Sequence, residues 1–260
     1  MIIGNVFYSK NPKSERKKMS LYTMADLHLS TLDSTNKSME VFGARWTSYL
    51  TKIEKNWRHL ITDEDTVVIP GDISWAISLE EATSDLKFLD SLPGKKILGK
   101  GNHDFWWTTM KKHSEHFEKI GVKTISFLFN NAYEADGFII AGTRGWFFEE
   151  KNANLPNKTD FAKLCRREEL RLENSLKAAK ELQAVSGAPI VAFMHFPPVF
   201  GDEICEGLIA ILKKYGVSTV YYGHIHGNYT IPEKIVYEGI SMKIISADYL
   251  SFTPKRVFLD

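Results

Sequence analysis

Carboxylates, imidazoles and one amide recur in this sequence at the ends of short apolar runs. Gly101-Asn102-His103-Asp104 sets an amide, an imidazole and a carboxylate in succession just after Lys96-Ile97-Leu98-Gly99. Asp26-Leu27-His28, Gly71-Asp72, His195 and Gly223-His224-Ile225-His226 repeat the arrangement. A short apolar run bounded by turn residues reads as a buried strand. Each cluster then stands at the carboxyl end of a strand, the edge where open α/β folds bind ligands. Asp26 and His28 lie two apart and point to the same side of an extended segment, as do His224 and His226. Together Asp26, His28, Asp72, Asn102, His195, His224 and His226 offer carboxylate oxygens, imidazole nitrogens and an amide oxygen. That mixed set suits Mn, Fe, Zn or Ni better than Ca, which favours oxygen alone. Two such ions can clamp the attacking and leaving oxygens of a phosphoryl transfer, with a carboxylate as the natural bridge. The chemistry implied is hydrolysis of a phosphate ester at a two-metal centre.

The elements that must position these residues are legible in outline. Residues 20–25 form a first strand. A loop rich in Ser, Thr, Asn and Lys follows, then a helix from Trp46 carrying Tyr49, Leu50, Ile53, Trp57, Leu60 and Ile61 at helical spacing. Thr66-Val67-Val68-Ile69 is a β-branched strand. Ser78 with Glu81 forms a capping box for a helix carrying Leu79, Ala82, Leu86 and Leu89. Lys96–Leu98 is the next strand, and a helix from about Trp106 to Ile120 ends at Gly121. This β-α-β-α-β-α order predicts parallel strands with helical crossovers.

Thr124–Phe129 and Phe138–Ala141 then read as a hairpin around Asp136-Gly137. A loop, Glu149–Asn157, leads to a charged helix from Thr159 to Val185 with Phe161, Leu164, Leu172, Leu176, Ala179 and Leu182 as its buried stripe. Pro189–Met194 is a strand, Asp202–Tyr215 a helix and Ser218–Tyr222 a strand. Short strands near Ile231, Ile235–Tyr237, Met242–Ser246 and Val257 are expected to complete a second sheet.

Composition narrows the class. The 260 residues are 43% hydrophobic and 25% charged, ordinary values for a globular chain that can bury a sizeable core. A formal charge of +1 gives no electrostatic reason to expect nucleic acid or a membrane surface as main partner. No run approaches the roughly 18 apolar residues of a membrane span. Two cysteines, Cys165 and Cys205, make no disulfide scaffold and point to a reducing, cytoplasmic setting. Lys13, Glu15, Arg16, Lys17 and Lys18 precede Met19, so residues 1–18 are expected to be an appended arm or non-native leader. Residues 19–260 are expected to form a single domain.

The motif series Asp26-x-His28, Gly71-Asp72, Gly101-Asn102-His103-Asp104, His195 and Gly223-His224-x-His226 resembles, in order, that of the calcineurin-like metallophosphoesterases. The resemblance implies a four-layer α/β/β/α sandwich with two metals at the carboxyl edges of its sheets. It implies one metal on Asp26, His28, Asp72 and His226 and another on Asp72, Asn102, His195 and His224, with Asp72 bridging. Mn is the first choice, with Fe, Zn or Ni as alternatives. A metal-bridging hydroxide would attack phosphorus in line, His103 would serve the leaving group, and Asp104 would orient His103.

Phosphoprotein phosphatases of this superfamily carry Gly-Asp-x-x-Asp-Arg at the second motif, whereas this chain has Gly71-Asp72-Ile73-Ser74-Trp75-Ala76. The departure favours a smaller or diester substrate: a nucleotide such as a cyclic nucleotide, another phosphodiester, a nucleotide pyrophosphate or a small phosphomonoester. The alternative is a catalytically silent scaffold, which would be expected to have lost ligands or His103. Arg144 is a candidate for binding a substrate phosphate. Phe105-Trp106-Trp107 either walls a pocket or belongs to the core, and His113 and His116 are expected to face solvent.

Overall fold

The structure, a computed structural model, describes residues 19–31, 39–146 and 158–259. The expected arm 1–18 and the loop Glu149–Asn157 lie outside the described residues. The first sheet has the order β13-β1-β2-β3-β4. Its strands are β1 (Leu21–Thr23), β2 (Thr66–Pro70), β3 (Lys95–Gly99), β4 (Ile125–Phe127) and β13 (Lys255–Arg256). Strands β1 to β4 run parallel, and β13 is antiparallel to β1. The second sheet has the order β11-β12-β10-β7-β6-β5. It comprises β5 (Tyr133–Ala135), β6 (Phe138–Thr143), β7 (Ile190–Met194), β10 (Thr219–Tyr222), β11 (Lys234–Tyr237) and β12 (Ile240–Ile244). Its four central strands are parallel, with β5 and β11 antiparallel at the edges. A small hairpin, β8 (Val199–Phe200) with β9 (Glu203–Ile204), stands apart.

Strand alternation sorts the side chains into three apolar layers. Val67, Ile69 and Leu98 pack outward against α1 (Tyr49–Leu60), α2 (Thr83–Ser91) and α3 (Met110–Ile120). Ala192, Met194, Val220 and Tyr222 pack outward against α4 (Lys158–Ser186) and α5 (Glu206–Lys214). Val68, Ile97, Ile140, Val191, Phe193 and Tyr221 fill the space between the sheets. The result is an α/β/β/α sandwich. In α1, Trp57 is fully buried while its indole N–H donates to Pro93 O at 2.9 Å. A large apolar body is thus sunk without stranding its donor, a burial that contributes about 2–3 kcal/mol.

The sheets are stitched together at their carboxyl edge. Ala25 N donates to Ile245 O, and Ala247 N to Ala25 O, both at 2.9 Å. The residue before Asp26 therefore belongs to both sheets, which puts Asp26 between them.

Several elements differ from expectation. The Asp136-Gly137 turn closes a hairpin, but β6 pairs with β5. The expected partner, β4, lies parallel to β3 in the other sheet. The chain crosses between sheets at residues 128–132, and a transition of that kind leaves no trace in local patterning. No strand forms at Ile231, and the terminal strand returns to the first sheet, not the second. Glu81 N does donate to Ser78 Oγ at 3.2 Å, yet α2 begins at Thr83, after that turn. α1 begins at Tyr49, with a separate 3-10 turn at Ala44–Trp46 before it. α3 begins only at Met110, capped by Thr109, whose Oγ1 accepts from Lys112 N. α5 starts at Glu206 because Asp202 lies at the β8–β9 turn.

Candidate metal centre

Parallel strands end side by side, so the residues that follow them converge. Asp26, His28, Asp72 and His224 all adopt positive φ, at 60°, 44°, 51° and 71°. Each such non-glycine residue costs about 1–3 kcal/mol and persists only where surrounding bonds fix it. Those bonds are present. Asp26 N donates to Gly71 O at 3.0 Å and His28 N to Asp72 O at 2.9 Å. His224 N donates to Asp26 Oδ2 and His103 N to Asp72 Oδ1, both at 2.8 Å. The adjacent glycines allow the approach, since a Cβ on Gly101 would fall 2.0 Å from Asp72 Oδ1.

The side chains form two overlapping groups. In the first, His28 Nε2 lies 3.1 Å from His226 Nε2 and 3.6 Å from Asp72 Oδ2, and His226 Nε2 lies 3.7 Å from Asp26 Oδ1. In the second, His195 Nε2 lies 2.6 Å from Asn102 Oδ1 and 3.5 Å from Asp72 Oδ2. His224 Nδ1 lies 3.1 Å from the same Asn102 oxygen, and His195 Nδ1 lies 3.5 Å from Asp26 Oδ1. All seven residues singled out in the sequence are brought together. Asp26, His28 and His226, and also Asp26, Asp72 and His195, place donor atoms close enough to share an ion.

The electrostatics fit a divalent cation. Burial pushes the Asp26 carboxyl up to about 6, against the pull of His226. Burial, then Asp104 and Asp26, hold Asp72 well above the carboxylate range. Burial and neighbouring imidazoles hold His28 and His195 well below the usual histidine value and His224 down at about 3. Asp26 Oδ1 and Asp72 Oδ2 are buried without a hydrogen-bond partner. Unpaired carboxylate oxygens facing neutral imidazole lone pairs are unfavourable alone; a cation between them removes both penalties.

The other predicted residues fall differently. Among the described residues no hydrogen bond joins Asp104 to the His103 ring, the expected contact by which Asp104 would orient it. The Asp104 oxygens accept from the backbone N–H groups of Asp72, Ile73, Ser74 and Gly101 and from Trp106 Nε1, at 2.8–3.3 Å. Asp104 locks the second motif's loop to the third, a use invisible in sequence because four of the five donors are main-chain. His103 is half-buried, its ring 4.6 Å from Trp75 and 5.7 Å from His28. Arg144 sits beside the cluster: its carbonyl accepts from His195 N and Phe196 N, while Nη2 lies 3.4 Å from Glu168 Oε1. Trp106 is core, whereas Phe105 is exposed and meets His103 edge-on at 6.1 Å. His113 and His116 do not face solvent; both are buried, His113 among Trp106, Trp107, Phe117 and Phe127.

Sequence reasoning missed three participants. Asp248 accepts from His226 Nδ1 at 2.9 Å, and with Asp26 it raises His226 against the effect of burial. Such a carboxylate fixes which ring nitrogen faces the centre. It follows the apolar β12, so the rule that found the other residues applies to it too. Trp75 stacks on His28 at 4.9 Å. Glu168 is a buried acid on α4 that also accepts from Thr143 Oγ1 at 2.8 Å.

The model of the family described as calcineurin-like phosphoesterase matches residues 19–228. The chain belongs to this family. The match spans every motif residue from Asp26 to His226. No curated protein sequence matches the chain significantly. Among solved structures, TT1561 of Thermus thermophilus is similar with a TM-score of 0.55 at 11% identity, covering 93% of this chain and 99% of its own. Phosphopantetheinyl hydrolase (PptH) from Mycobacterium tuberculosis gives 0.49 at 14% identity, covering 94% and 97%. AQ665 from Aquifex aeolicus, a protein of unknown function, gives 0.45 at 18%, covering 92% and 95%. At these identities the likeness to TT1561 speaks for the fold alone.

Proposed function

We propose that this chain is a phosphohydrolase with a dinuclear centre. One ion is held by Asp26, His28, Asp72 and His226, the other by Asp72, Asn102, His195 and His224. The observation that carries the reading is the pair of buried, partnerless oxygens, Asp26 Oδ1 and Asp72 Oδ2, facing the imidazoles of His28, His195 and His226. The ions are divalent transition metals, Mn first, with Fe, Zn or Ni as alternatives. When bound they supply positive charge that polarises a phosphoryl oxygen and makes a water more acidic.

The chain's own residues do the remainder. Asp248 holds the His226 ring in place. Asp104 fixes the two loops that deliver Asp72 and Asn102. His103 stands beside His28 and is the group placed to exchange a proton with a leaving oxygen. Trp75, where phosphoprotein phosphatases carry the Asp of their Asp-Arg pair, packs on both His28 and His103 and narrows the approach. That supports a small substrate: a nucleotide, another phosphodiester or a small phosphomonoester. No helix among the described residues is long and apolar enough to cross a membrane. Cys165 and Cys205 are not bridged, consistent with work in the cytoplasm.

The test is a hydrolysis screen with Mn, Ni, Zn and Mg on p-nitrophenyl phosphate, bis-p-nitrophenyl phosphate and the nitrophenyl ester of thymidine phosphate. Turnover that fails in both Asp72→Asn and His103→Ala supports the reading. Tight metal binding with no turnover of any ester would overturn it in favour of a silent scaffold.

A further inference from the structure

Beside the His195 half of the centre, cations outnumber the acids that hold them among the described residues. Glu168, 1% exposed, is approached by Arg171 Nη1 at 2.6 Å, Arg144 Nη2 at 3.4 Å and Arg167 Nε at 3.7 Å. Its other oxygen is taken by Thr143 Oγ1. Three guanidinium groups therefore share one carboxylate. Lys100 adds a fourth cation, close enough to Arg144, Arg171 and Glu168 for each to act on its charge. The second acid in its range, Asp104, already accepts five hydrogen bonds.

The placement is as informative as the charge. Lys100 follows β3 and stands two residues before Asn102. Arg144 follows β6 and accepts at its carbonyl from His195 N at 3.2 Å. Arg171 reaches over the ring of Phe129, just past β4, with Cζ 5.0 Å from the centroid. All three lie at the carboxyl edge that carries the metal-site residues. Arg144 is also under-used. Its side chain is nine-tenths buried, its planar group lies over Trp146 at 4.4 Å, and its Nε has no hydrogen-bond partner. Lys100 Nζ makes no hydrogen bond among the described residues.

The geometry points to a second anion subsite, made by Lys100, Arg144 and Arg171 beside His195 and Asn102, that takes a phosphoryl group adjacent to the one hydrolysed. The substrate class is then a diphosphate ester, and this rests on the phosphohydrolase reading above. Water oxygen bonds to the phosphorus at the centre and the bond to the bridging oxygen breaks. That oxygen leaves with the electron pair on the second phosphate, which Lys100 and Arg144 hold. One water proton ends on each product phosphate. Glu168 keeps the guanidinium groups in position, one carboxylate against three guanidinium groups among the described residues.

Equilibrium dialysis of the Mn-loaded full chain tests this without relying on turnover, using imidodiphosphate and orthophosphate at fixed free Mn. Imidodiphosphate is expected to bind at least about tenfold tighter than orthophosphate, as a charge-assisted contact to a buried cation warrants. Lys100→Gln and Arg144→Gln are each expected to remove most of that preference. Lys100→Gln is the decisive variant if Arg144→Gln fails to fold. A wild-type preference below about threefold, or one untouched in Lys100→Gln, overturns the subsite. Failure of the underlying reading looks different: no Mn retained and neither anion bound.

Discussion

Two groups of buried histidines sit among the described residues, and one of them faces carboxylates with which it could hold a metal ion. His28 and His195 in one group, and His113 in the other, are each almost fully buried and held below the ordinary histidine value, His113 at about 4. Their settings differ. His113 lies within the regular helix α3, ringed by Trp106, Trp107, Phe117 and Phe127, and its Nε2 accepts from Thr108 N at 3.1 Å. His116 bonds Thr83 Oγ1 at 3.0 Å. His28 and His195 stand on strand-end loops and face carboxylate oxygens that nothing else satisfies. Burial and lowered basicity are common to His28, His195 and His113. What separates them is convergence on unpaired carboxylates, delivered by backbone held at positive φ.

The comparison breaks most directly at Asp72. Asp72→Asn keeps an oxygen for His103 N but removes the charge shared by both groups of ligands. It should lower kcat/KM by about a thousandfold or more and release bound metal, read by esterase kinetics and elemental analysis. His113→Gln should stay within about threefold of wild type in the same assay. Equal losses in the two variants would erase the distinction.

Asp104→Ala probes the scaffold under the first group. It strands buried N–H groups of Asp72, Ile73 and Gly101, each costing about 1–3 kcal/mol when unsatisfied. A loss of roughly 3–5 kcal/mol in urea unfolding is expected, partly relieved in Asp104→Asn, which retains an acceptor. Asp248→Asn is gentler. It leaves the fold intact and should weaken metal affinity by about 10–100-fold in a chelator competition, because His226 loses the carboxylate that orients it.

Sequence legibility follows the same divide. Asp26, His28, Asp72, Asn102, His195, His224 and His226 were readable because each follows an apolar strand, and parallel strands end together. Asp248 obeys the same rule less visibly, because three residues separate it from the end of β12. Glu168 lies four residues before Leu172 on the buried stripe of α4, but a search for apolar periodicity skips a buried acid. His113 and His116 show the converse: their polar type predicts exposure, but on α3 they occupy the core-facing positions beside Phe117. The exchange of β4 from hairpin to first sheet was beyond reach, since pairing partners are chosen by tertiary packing and not by the turn.

The gentlest test of the comparison is acid stability, and its sign follows from His113. Burial first, then His116 and Lys100, lower its value from 6.5 to about 4 in the folded chain, while an unfolded histidine keeps about 6.5. The unfolded state therefore binds the proton first as pH falls. The contribution of neutral His113 is complete above about pH 6.5, drains away between about 6.5 and 4, and changes no further below that. Allowing for partial screening, the loss is on the order of 2 kcal/mol. The metal-site histidines titrate too, so wild type alone is ambiguous. The difference between wild type and His113→Gln, from urea midpoints at pH 7.5, 5.5 and 4.5, isolates the aromatic group. His113→Gln should lose less stability than wild type over that range. A difference that does not change with pH would mean that His113 takes up a proton as readily inside its aromatic cage as in the unfolded chain, and the two groups of histidines would then differ in basicity as well as in partners.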